Sequence, residues 1–110
     1  MAVTVKSSGN QTATISTEHT LLDTTDAGVY QGLVDLTNLA DGDVLELRVY
    51  IKANSSATLS VAFIVVLRDA QTSDGLVVVT PPCMSPVEWK FTLKQTAGTG
   101  RSFQWGVFAA

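Results

Sequence analysis

The sequence predicts an all-β domain, a jelly-roll-like β-sandwich of about eight antiparallel strands. Three observations predict it. Apolar and polar residues alternate along most of the 110-residue chain, the period that sends one face of a strand to a core and the other to water. Residues that open turns or tolerate positive φ recur between the alternating runs, at Asp26-Ala27-Gly28, Asp41-Gly42-Asp43, Ser73-Asp74-Gly75 and Gly98-Thr99-Gly100. No stretch combines helical spacing with caps, and only Asn38-Leu39-Ala40 reads as one short turn.

In chain order, residues 1–10 read as an N-terminal arm or first strand, polar and Gly-containing after Val5. Residues 11–110 form one sandwich domain, of common size for its length. Short strands are expected near 2–7, 11–16 and 19–25. A fourth lies near 29–36, where Tyr30, Val34 and Leu36 oppose Gln31 and Asp35. The clearest covers 43–52: Leu45, Leu47, Val49 and Ile51 point one way, and Glu46, Arg48, Tyr50 and Lys52 the other. Near 58–68 the run from Leu59 to Leu67 is almost continuously apolar and β-branched, which predicts a central strand covered on both faces. A short strand follows near 75–79, and Pro81-Pro82 and Pro86 then break the ladder around Cys83 into a loop or sheet edge. The last two strands, near 87–95 and 101–108, set Trp89, Phe91 and Leu93 against Glu88, Lys90, Thr92 and Lys94, and Phe103, Trp105 and Val107 against Ser102, Gln104 and Gly106. Gly98-Thr99-Gly100 reads as the hairpin turn between them. Connections of several residues favour a jelly roll or Greek key over a meander.

Composition bounds the function. Charged residues make up only 15% of the chain, against about 25% in typical soluble domains. The surface therefore relies on neutral polar side chains and has room for a patch that stays dry in an assembly. Net charge is −3, and the seven Lys and Arg residues are scattered, which argues against nucleic-acid binding by counterion release. The single cysteine, Cys83, cannot form an internal disulfide, so folding in a reducing compartment is expected. Met1 to Lys6 lacks a signal-peptide pattern, and Leu59–Leu67 is half the length of a spanning helix, so no membrane partner is expected.

No catalytic constellation is legible, and the chain is read as a non-enzyme with no cofactor and no metal. His19 is the only histidine, and the adjacent Glu18 falls on the opposite face of a strand. A metal-dependent jelly-roll enzyme would need several histidines. Cys83 has no basic neighbour and reads as a small buried hydrophobe. Asp41-Gly42-Asp43 and the Asp23, Asp26 pair lack the ordered oxygen ladder of a calcium loop and read as turns. Gly98-Thr99-Gly100 lacks the Gly-Lys-Ser/Thr of a phosphate loop. Most aromatic residues read as core.

Phe108 is the exception, because it falls on the polar face of the last strand, and Tyr50 is similar. Exposed aromatic groups ask for cover from a neighbour. The candidate interface comprises these two residues, Val3 and Val5 of the N-terminal segment, and Pro81, Pro82 and Met84 of the sheet-edge segment.

Four segments carry a resemblance: Glu18-His19-Thr20-Leu21; Ala27-Gly28-Val29-Tyr30-Gln31; Asn38 through Arg48 (NLADGDVLELR); and Thr92 through Phe103 (TLKQTAGTGRSF). They resemble small structural proteins of tailed bacteriophages and prophages, over residues 15–108. The resemblance implies a capsid decoration, or cement, protein with a jelly-roll fold. Such a protein is made in the host cytoplasm and sits on the capsid exterior as a dimer or trimer. Its partner is the major capsid protein. No functional residue follows from it. The alternative expectation is a carbohydrate- or receptor-binding module of a phage tail or fibre.

Overall fold

The computed structural model describes residues 3–72, 75–85 and 87–110. Met1 and Ala2 of the N-terminal segment, Ser73-Asp74 of one expected turn, and the strand-breaking Pro86 lie outside the described residues. Among the described residues nine strands form, β1 (Thr4–Thr12), β2 (Glu18–Thr24), β3 (Gly28–Asp35), β4 (Val44–Ile51), β5 (Ser60–Arg68), β6 (Val77–Val79), β7 (Cys83–Ser85), β8 (Trp89–Ala97) and β9 (Ser102–Ala109). They build two antiparallel sheets. The first runs β1-β9-β3-β6, with β7 also paired to β3; the second runs β2-β8-β4-β5.

The topology follows from one long antiparallel ribbon. β4 pairs with β5 through the connection at 52–59, β3 with β6 and β7, β2 with β8, and β1 with β9. Successive rungs alternate between the two sheets, and the β3·β9 and β4·β8 pairings zip the rolled ribbon shut. This is a jelly roll. β6 and β7 count as a single eighth-strand equivalent, interrupted by Pro81-Pro82, whose missing N–H groups cannot join a ladder.

The inner faces carry the alternating residues expected. Leu45, Leu47 and Val49 of β4, Trp89, Phe91 and Leu93 of β8, Tyr30 and Val34 of β3, and Phe103 and Val107 of β9 are all buried. Trp89 packs between Tyr30 and Phe91, with ring centroids 5.3 and 5.8 Å away and tilted planes. Gly32 makes room for this cluster: a Cβ there would stand 2.6 Å from the Phe91 ring of the opposite sheet.

Four sequence expectations need correction. The runs near 2–7 and 11–16 are one strand, β1, paired along its length with β9; of the two readings of residues 1–10, Thr4 to Asn10 follow the first strand and not the arm. The expected 11–16 strand stops at Thr12 because Thr14–Thr17 close a turn, with Ser16 at φ 67°. β5 is not central: it pairs only with β4 and ends its sheet, so Val61, Ile64 and Val66 stay exposed on its outer face. Gly98-Thr99-Gly100 is not a hairpin turn. β8 and β9 lie in different sheets, and the segment carries the chain across the sandwich.

That crossing is held by a polar hub. Buried Asp43 accepts the N–H of Ala40 (2.9 Å) and of Thr99 (3.1 Å), and the Nε–H of Arg101 (2.9 Å). Gly98, at φ +89°, passes so close that a Cβ would overlap the Asp43 carboxylate. Buried Gln95 completes the hub. Its Nε2 donates to the Thr99 carbonyl (2.7 Å) and its Oε1 accepts the Arg101 N–H (3.1 Å).

Candidate assembly surfaces

The outer face of the first sheet is built by residues out of phase with the core. On β9 these are Gln104, Gly106 and Phe108; on β3, Gln31, Leu33 and Asp35. Register sets Gly106 between Ser8 and Leu33, and Phe108 between Val5 and Gln31. Gly106 leaves the floor of this face open, since a Cβ there would stand 3.2 Å from the Phe108 ring. A shallow groove of about 310 Å³ results, with Val5, Leu33, Val77 and Phe108 as its apolar walls. A smaller groove, about 120 Å³, adjoins it between Val3, Val29, Pro82 and Phe108. Phe108 is half-buried and borders both.

Four of the seven expected interface residues border these grooves, and two more lie exposed next to groove residues in the chain or the sheet. Val3, Val5, Pro82 and Phe108 border the grooves, and Pro81 stays exposed beside Pro82. Met84 opposes Val29 on β7 and is 76% exposed. Tyr50 does not join them. It lies on the outer face of the second sheet, half-buried, where its hydroxyl donates to Glu18 Oε2 (2.6 Å) and Lys90 sits over its ring at 5.2 Å. The sequence showed Tyr50 out of phase with the core but not the partners that absorb it.

The second sheet's outer face is a lattice of charge. Thr92 Oγ1 also donates to Glu18 Oε2 (2.7 Å), and Arg48 pairs with Glu46 at 3.0 Å. Burial pushes the Glu18 carboxyl up, but the Tyr50 and Thr92 hydroxyls and the Arg48 cation outweigh it and hold its pKa below the usual value. This lattice stops at β5, where Val61, Ile64 and Val66 continue the face without a charge.

The other singled-out residues are absorbed locally. His19 Nε2 accepts the Thr14 N–H (3.0 Å), and its Nδ1 lies 3.2 Å from the Gln11 side-chain nitrogen. Glu18 is engaged on the opposite face, as alternation requires. Cys83 is half-buried, not fully buried as expected, and its thiol faces the Pro81 carbonyl at 3.4 Å. Burial pushes the thiol pKa up, and the Trp89 indole N–H opposes this only in part. Asp41 and Asp69 accept the backbone N–H groups of Ala70 and Gly42, tying two turns together. Asp26 pairs with Lys6, whose hydrogen bond lowers its pKa, while burial and a hydrogen bond with Glu88 raise that of Asp23. Asp23 and Asp26 thus belong to separate networks, and no cluster of three metal-ligating side chains occurs among the described residues.

No family model, no curated protein and no solved structure matches the chain.

Proposed function

We propose that this protein is a structural component of a tailed-bacteriophage virion, a decoration protein that binds the outside of the head and braces the major capsid protein. The observation that carries this reading is an apolar patch on the outer face of the first sheet. There Val3, Val5 and Met84 are exposed and Phe108 half-buried around two open grooves. In a chain with so few charges, a patch of this kind suits a protein surface. The resemblance of residues 15–108 to phage structural proteins and the jelly-roll fold support the same reading. The task is adhesive, not catalytic. A protein that binds only the assembled shell stabilises it by mass action, and many modest contacts add through multivalency.

The test is cosedimentation of purified protein with expanded heads that lack it. Saturable binding is expected, at a copy number comparable to the major shell protein, together with a higher temperature of head disruption. Val5→Asp combined with Phe108→Ala should weaken binding at least about tenfold, a loss of ~1.4 kcal/mol. Heads that take up no wild-type protein would refute the reading.

A second reading, a carbohydrate- or receptor-binding module of a tail or fibre, draws on a polar cleft of about 230 Å³ next to the larger groove. Asn10, Asp35, Thr37, Asn38 and Gln104 line it. Saturable binding on a glycan array, with no binding to heads, would favour that module.

A further inference from the structure

We infer that β5 is a dimerisation edge: two copies of this chain pair β5 antiparallel to β5 across a twofold axis, joining their second sheets into one continuous eight-stranded sheet. The inference deepens the homo-oligomer part of the decoration reading by naming its surface, but its premises stand on the fold alone.

β5 is nine residues long, ends its sheet and, among the described residues, pairs only with β4, so one row of its backbone N–H and C=O groups has no strand partner there. Proteins guard such edges with lysine, proline, inward-pointing charge or short strands. β5 has none of these between Ser60 and Leu67, and its one other protective feature is a single bulge at Ala62. Val61, Ile64 and Val66 are exposed on its outer face, and Val77 and Val79 are exposed on β6, which flanks β3 in the other sheet. Five of the nine large exposed apolar residues among those described thus lie on these two strands.

The occupant must supply an extended strand, and a second copy of β5 fits. Charge is absent from Ala53 to Leu67 and from Gly75 to Val87, so two copies meet here without like-charge repulsion. An antiparallel twofold arrangement also sends the two Arg68 side chains to opposite ends. A twofold overlap of seven strand residues, Ala62–Arg68, is roughly 24 Å long by ~20 Å deep, from the rise per residue and two sheets ~10 Å apart. That gives on the order of 500 Å² per copy, about the 1,000 Å² in total that a specific interface needs. Twofold pairing consumes both free edges, whereas a head-to-tail contact leaves one open. Ala62 has no partner on β4 and marks a bulge, which leaves Phe63–Leu67 as the in-phase stretch. A twofold centred on Val65 then sets Ile64 opposite Val66 of the other copy, and Phe63 opposite Leu67.

Sedimentation velocity of the isolated protein over a wide concentration range tests this. The wild type should be a dimer. Ile64→Lys with Val66→Lys, both on an exposed face, should keep the circular dichroism and melting temperature while raising the dimer Kd at least about tenfold, ~1.4 kcal/mol. In a Cys83→Ser background, Ile64→Cys with Val66→Cys should yield an oxidised, disulfide-linked dimer. A wild type that is monomeric throughout, a trimer, or a dimer indifferent to the two lysines would overturn the inference. None of these measurements involves heads, so a dimer that fails to bind heads would sink the decoration reading and leave this interface standing.

Discussion

Asp43 shows how much one side chain can hold. It is buried, and it joins the connection before β4 to the crossing between β8 and β9. Burial alone would raise its pKa. The Ala40 N–H, the Arg101 guanidinium and the Thr99 N–H prevail and hold it below the usual aspartate value. A carboxyl lowered in the folded state contributes stability that is complete above its unfolded pKa, ~3.9. That stability drains away as pH falls through the lowered folded value. Asp43→Asn should therefore cost about 3 kcal/mol near neutrality, and the gap from wild type should narrow at pH ~3. Thermal melts of both proteins at the two pH values check this, and a gap that does not change with pH would contradict it. In sequence, Asp41-Gly42-Asp43 was legible as a turn. The role of Asp43 was not, because two of its three donors lie 56 and 58 residues away and no local pattern announces them.

Among the elements, strands with one wet face were the legible ones. β4, β8 and β9 bury the residues that alternation assigned, apart from the half-buried Ile51 and Trp105. β5 defeated the same logic for a physical reason. An apolar run with no wet face marks either a strand between two layers or a strand awaiting a partner chain, and one sequence cannot tell them apart. The proline-rich segment was legible as a sheet edge, but its anchor was not. Thr80 binds Gly32 twice: its N–H donates to the Gly32 carbonyl (2.9 Å) and its hydroxyl accepts the Gly32 N–H (2.9 Å). This clamp holds β6 and β7 to β3 on either side of the break. Thr80→Val should leave a buried N–H unsatisfied and cost about 1–3 kcal/mol. Amide exchange should then speed up in β6 and β7 more than in β4 or β8, and uniform acceleration across the sheets would argue against a local clamp.

At the scale of the molecule, the rolled ribbon makes nearly every strand pairing remote in sequence, with the chain ends meeting last: Thr4 lies opposite Ala109. Folds ruled by such non-local pairing form slowly, on the order of milliseconds to seconds. The same adjacency has an engineering consequence. Because Thr4 and Ala109 sit side by side at one end of the β1·β9 pair, a short linker would close the chain into a circle. A new opening between Asn54 and Ala57, an exposed turn far along the ribbon, would give a permuted protein with the same sheets. Such a permutant should fold and melt cooperatively, while passengers fused to either original end would be displayed at a common point.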